Sequence, residues 1–68
     1  MTRRVFVLEL IDAHGDGRFR VFARREAAVR VARRWTGARG GDASASEWRG
    51  VGDRSDYDAD LYQVVVEP

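Results

Sequence analysis

The side chain best suited to proton transfer at neutral pH is His14, the only histidine of the chain. It stands between Asp12 and Asp16. An Asp–His pair can do acid–base work, but it needs a nucleophile or a phosphate cradle in reach. No serine or cysteine adjoins it in sequence and no glycine-rich phosphate loop is present. We read His14 as a solvated turn residue and expect no catalytic residue, no enzyme activity and no cofactor.

The second constellation is acidic: Asp53, Asp56, Asp58 and Asp60. Asp56-Tyr57-Asp58-Ala59-Asp60 carries the 1, 3, 5 spacing of a calcium loop, with Glu67 at position 12. Position 6, where the loop needs glycine for its sharp turn, is Leu61, and the residues after it have strand character. The expectation is therefore no metal site, zinc being disfavoured too by a single histidine and no cysteine. The cluster reads as a solvated acidic loop able to serve as a contact surface for a basic partner.

The third is basic. Arg24, Arg25, Arg30, Arg33, Arg34 and Arg39 crowd one stretch, and a basic helix with aromatic neighbours can hold nucleic acid through its phosphates. Weighing against this, the formal charge is only +1 and no nucleic-acid reader motif is present. The charge is unevenly spread. Residues 1–40 hold ten arginines against four acids, and residues 41–68 hold two against seven. We expect the two halves to fold together and neutralise one another in preference to forming separate basic and acidic faces.

These residues must be positioned by a short series of elements. Val5 to Ile11 is rich in β-branched and aromatic residues and apolar on both faces, which predicts a central strand. His14-Gly15-Asp16-Gly17 is turn chemistry, and Arg18 to Ala23 alternates strictly. A hairpin closed on a two-residue turn would place Phe19, Val21 and Ala23 beside Phe6, Leu8 and Leu10 on the core face. From Arg24 to Thr36 the period becomes 3.6, with Ala28, Val31, Ala32 and Trp35 in one stripe. Gly37 is a natural stop, whereas Arg24 and Arg25 stand where a capping Ser, Thr or Asp is preferred. Residues 37–60 read as loop, within which Ser44 to Glu47 has capping-box spacing and Glu47 to Val51 is an alternative short strand. Trp48 anchors that segment in either case. Leu61 to Val66 is a last strand.

The order predicts one α+β domain over residues 1–68: an antiparallel sheet of three to four strands with one principal helix on one face, ββα(β)β. The expected core is Phe6, Leu8, Leu10, Phe19, Val21, Ala28, Val31, Ala32, Trp35 and Val64. One helix cannot cover both faces of a sheet. The far face, assigned to Val5, Val7, Ile11, Phe22, Leu61 and Val65, is left to bind a partner unless Trp48 and Tyr57 fold over it. Phe22, Trp48, Tyr57 and Leu61 are thus the expected apolar contact residues, beside the acidic set. An open sheet edge also favours a homodimer or pairing with a strand of another protein.

Sixty-eight residues give a small core, which rarely supplies more than about 3–5 kcal/mol of net stability. With no cysteine, disulfides cannot help. The apolar run at the N-terminus stops at Glu9, too short for a signal peptide or a bilayer span, so the expectation is a cytoplasmic protein with no membrane role. All twelve basic residues are arginine, a bias typical of a GC-rich source.

Phe22-Ala23-Arg24-Arg25-Glu26-Ala27-Ala28 directly after a hairpin strand, followed by Trp35, resembles a pattern of small prokaryotic and phage-encoded accessory proteins, over residues 5–36. Those helices usually begin on Ser or Thr, from which Arg24 departs. The resemblance implies an architecture with no activity attached. Phage inhibitors of host defence, anti-CRISPR proteins among them, are similar in size. The function expected is a non-enzymatic protein-binding module, an inhibitor of a bacterial CRISPR-type defence complex carried by a phage or mobile element. The alternative is a nucleic-acid-binding or regulatory protein using the arginine-bearing helix.

Overall fold

A computed structural model describes residues 2–38 and 44–67. In chain order the elements are β1 (Arg3–Ile11), β2 (Gly17–Phe22), α1 (Arg25–Thr36), β3 (Glu47–Arg49), a single 3-10 turn (Gly52–Arg54) and β4 (Asp58–Val66). The strands form one antiparallel sheet in the order β2-β1-β4-β3, with α1 on one side. This is the α+β layout expected, with β1 central, four strands, and Glu47–Arg49 a strand and not a helical turn. Arg39 lies outside the described residues. Among the described residues no helix is long and apolar enough to cross a membrane.

The β1–β2 hairpin departs from expectation in one residue. The backbone N–H of Asp12 donates to the Asp16 carbonyl (2.9 Å) and that of Gly15 to the Asp12 carbonyl (3.0 Å). The loop is therefore three residues, Ala13 to Gly15. Oδ1 of Asp12 accepts from the N–H groups of His14 (2.8 Å) and Asp16 (3.1 Å), and Gly15 takes the left-handed conformation at φ 84° that such a loop demands of its last residue. One loop residue more than expected changes the parity of every pair. Leu8 faces Arg20, Glu9 faces Phe19 and Phe6 faces Phe22. Directly paired residues share a face of the sheet, so Arg18, Arg20 and Phe22 turn to the helix side, and Phe19 and Val21 turn away from it.

The core consists of Leu8 and Leu10 of β1, Ala59 and Leu61 of β4, Trp48 of β3, and Ala28, Val29 and Ala32 of α1, with Thr36 wholly buried beside them. Alanines at 28 and 32 bring the helix close to the sheet. The buried stripe is rotated from the one expected: Val29 and Thr36 join it, while Val31 and Trp35 lie half-buried at its flank. Phe19, Val21 and Val64, expected in the core, are exposed.

α1 begins at Arg24 without a side-chain cap, as the sequence suggests. Its other end is closed by the β3–β4 connection. The Val51 N–H donates to the Thr36 carbonyl (2.9 Å), and Nε of Arg54 donates to the Trp35 carbonyl (2.8 Å). Both are carbonyls that a helix terminus leaves without an internal partner, and the Arg54 charge sits favourably at that end of the helix dipole.

Candidate binding surfaces

The register sorts the exposed side chains into two contrasting faces. On the side of the sheet away from α1, cross-strand rows run Val5–Val64, then Val21–Val7–Tyr62, then Phe19–Glu9–Asp60–Glu47, then Ile11–Asp58–Arg49, with Arg3 and Val66 at the far end. Phe19 is 65 % exposed, Val21 66 %, Tyr62 49 % and Val64 41 %. An apolar strip thus passes directly into a row of three carboxylates on adjacent strands.

Like charges directly opposite one another in a sheet are unfavourable. Asp60 stands in the middle of that row. Partial burial raises its pKa above the ordinary 3.8, the neighbouring Glu47 and Asp58 charges raise it further, and Arg49 acts against them. Tyr62 is likewise raised, by desolvation and then by Asp60, Glu9 and Glu47.

The acidic residues singled out from sequence do not form one surface. Asp58 and Asp60 point outward from β4 and are joined by Glu9 and Glu47. Asp53 and Asp56 are exposed on the connection near the end of α1. Glu9 and Glu47 were not foreseen as partners. The available signal was that Glu9 alone interrupts the apolar run Val5–Ile11 of β1. No group of three or more His, Cys, Asp or Glu among the described residues is placed to hold a metal ion.

The apolar contact residues expected on the far face are on the helix side instead. Trp48 (7 % exposed) and Leu61 (9 %) are core. Phe22 packs against the core from the end of β2. Tyr57 meets the Trp35 ring edge-on, with centroids 5.3 Å apart, and lies beneath the Arg54 guanidinium at 3.6 Å. Val65 is also on the helix side, although exposed. The parity of the strands explains these corrections: the hairpin loop reverses β2, and the β1–β4 register pairs Leu61 with Leu8.

The arginines of α1 divide as well. Arg24 is exposed at the helix start. Arg25, Arg30 and Arg33 border one side of the helix with Glu26 and Val29, and Arg25 Nη2 donates to the Ala45 carbonyl, tying the helix to the segment before β3. Arg34 faces the other side, where a groove of about 670 Å³ runs between α1 and β2. Its lining is Leu10, Phe19, Val31, Trp35 and four arginines, Arg18, Arg20, Arg34 and Arg54, with no carboxylate among the described residues. The basic side chains of β2 and α1 and the acidic side chains of β4 and β3 therefore lie on opposite sides of the sheet. Arg3 and Arg49 share the acidic side, and Asp53 and Asp56 lie near the end of α1.

His14 is exposed in the hairpin loop, where its backbone N–H supports Asp12. At Asp12 desolvation acts upward, but the N–H groups of His14 and Asp16, with the charges of His14 and Arg18, together outweigh it and bring its pKa below the ordinary 3.8. Comparison with protein-family models, with curated proteins and with solved structures finds no match to this chain.

Proposed function

We propose that the chain is a non-enzymatic protein-docking module whose contact surface is the outer face of the sheet. The observation that carries this is the uncovered apolar strip of Phe19, Val21, Tyr62, Val64 and Val66, continuous with the Glu9–Asp60–Glu47 row. A solvated apolar patch of this kind marks an association surface. The carboxylate row specifies its chemistry: a partner that lays aliphatic or aromatic side chains over the valines and places arginine or lysine against the acids.

A second copy of the chain is the poorer occupant. The outer face carries Glu9, Glu47, Asp58 and Asp60 against Arg3 and Arg49, so two such faces brought together would bury an excess of like charge. The physiological setting we favour is a phage or mobile-element protein that inhibits a bacterial defence complex, on the small size and the hairpin–helix order of the chain.

The test is affinity capture from the natural host with nuclease treatment. It compares the natural chain with Val21→Gln plus Val64→Gln, with Glu9→Arg plus Asp60→Arg, and with Arg30→Gln as a control on the opposite side. A protein retained by the natural chain and the control but lost from both outer-face variants supports the reading. Equal recovery by all four, or a concentration-dependent dimer abolished by the Val21/Val64 pair, would remove it.

A further inference from the structure

We infer that the groove between α1 and β2 is a binding site for a phosphate-bearing nucleotide, free or as one unit of a single-stranded nucleic acid. The site shares Phe19, at the sheet edge, with the outer face but opens on the helix side, and it is independent of the function proposed for that face. It exists because α1 packs over β1 and β4, leaving the helix side of β2 beside the helix and not beneath it. The three-residue hairpin loop then turns Arg18 and Arg20 into this uncovered space. Arg34 and Trp35 enter from the last turns of α1, and Arg54 closes the end of the groove, held by its Nε bond to the Trp35 carbonyl.

Four arginine side chains line one volume, two of them with the guanidinium also set over a ring (Arg20 on Phe22, Arg54 on Tyr57), and among the described residues the lining holds no carboxylate. Asp12 in the hairpin loop lies near enough to Arg18 for the two charges to attract. Convergent like charge without an anion costs the folded chain free energy, and a bound anion removes that cost. A single carboxylate would answer one of the four cations, whereas a di- or triphosphate, or successive phosphodiesters, answers several. Planar guanidinium forks suit phosphate oxygens in paired hydrogen bonds. The rest of the lining gives the second half of the ligand: Trp35, Val31 and Leu10 offer an apolar seat on which a planar base can stack. A volume of about 670 Å³ accommodates a small-molecule ligand of nucleotide size.

The arginines expected from sequence to contact nucleic acid were those of the helix alone. Among the described residues of that set only Arg34 lines the groove, and Arg18, Arg20 and Arg54 come from elsewhere in the chain.

The test is anisotropy titration of the full chain at low salt into two separate probes, a fluorescein-labelled oligothymidylate and a fluorescent ATP analogue. Two double variants of equal net charge are compared. Arg18→Gln plus Arg20→Gln removes groove cations from exposed positions of β2, and Arg3→Gln plus Arg30→Gln removes cations elsewhere. We expect at least one probe to bind, with affinity falling about ten-fold or more in the groove variant and less than about two-fold in the other. If the oligonucleotide is the tighter ligand, the groove variant also lowers the log–log salt slope by about two. A tighter ATP analogue assigns the groove to free nucleotide. Binding of neither probe at high micromolar protein, or equal weakening by the two double variants, overturns the inference.

Discussion

Among the described glycines, Gly50 is expected to tolerate replacement by alanine least. Gly50 follows β3, and a Cβ at this position would lie 1.5 Å from the Arg54 carbonyl oxygen and 2.5 Å from that of Tyr57. Both obstacles are backbone. The Arg54 carbonyl is also fixed by the Tyr57 N–H (2.9 Å), while Nε of the same residue is bonded to the end of α1. Relief would have to separate β3 from the 3-10 turn and break the closure of the helix terminus. Overpacking a rigid site costs about 1–3 kcal/mol, and occasionally more. This contact lies at the severe end, so we expect at least 3 kcal/mol, roughly the whole net stability of a domain this small. The internal comparison is Gly52→Ala. Gly52 has φ 58° but nothing within 4 Å of its Cβ, so its cost is conformational alone, about 1–2 kcal/mol. Thermal melts followed by circular dichroism separate the two, with about 4–8 °C expected per kcal/mol for a domain of this length. Gly52→Ala should melt cooperatively at a reduced temperature, and Gly50→Ala should be largely unfolded at 25 °C. A Gly50→Ala melt at or above that of Gly52→Ala would refute the tight packing of residues 50–57.

Other perturbations test separate parts of the structure. Asp60→Asn should stabilise the chain at pH 7 by a fraction of a kcal/mol, since the half-buried carboxylate is repelled by Glu47 and Asp58 but still screened by solvent. Because the folded pKa is raised, the penalty on the natural chain is present when the group is ionised. It fades as pH falls through the raised value towards 3.8, so melts of the two proteins should converge there. A gain that persists below that range would place its cause elsewhere. Arg54→Leu should cost about 1–2 kcal/mol through loss of the Nε bond to the Trp35 carbonyl and of the stacking on Tyr57. Hydrogen exchange should show the last turn of α1 opening first.

β1, β2 and α1 and their order were legible because each has a strong period: two through Arg18 to Ala23, 3.6 through the helix, and a doubly apolar β1 consistent with a central position. β3 was one of two alternatives, and the start of β4 at Asp58 fell within the expected loop. The sides of β2 were not legible. Parity depends on loop length, and a sequence such as His14-Gly15-Asp16-Gly17 offers two-residue turns as good as the three-residue loop that forms. Asp12 decides between them through two backbone bonds to one carboxylate oxygen, a contact that composition does not announce. The closure of α1 by Val51 and Arg54 was hidden for another reason: residues 15 and 19 positions apart in sequence meet there, and loop composition carries no record of such contacts. The acidic row illustrates the same limit, since Glu9, Glu47 and Asp60 are far apart in the chain and become neighbours only through the strand register.

Both proposed surfaces descend from that one hairpin choice, which makes it testable as a unit. In the observed register Phe19 and Val21 supply the outer strip while Arg18 and Arg20 line the groove. A shift of one residue would exchange them. The exchange turns Phe22 away from the core but brings Phe19 and Val21 to the helix side in place of Arg18 and Arg20, so turn chemistry should govern the register. Asp12→Thr removes the carboxylate that organises the three-residue loop. His14→Asn creates Asn-Gly with Gly15, the pair best suited to a two-residue turn. In the double variant Leu8 should face Val21, and Leu10 should face Phe19, detectable as new cross-strand Hα contacts by NMR. The folded variant should then lose both the outer-face partner and the groove ligand. Retention of the Leu8–Arg20 and Glu9–Phe19 pairs would show that side-chain contacts along β1 and β2, and not the turn, hold the register.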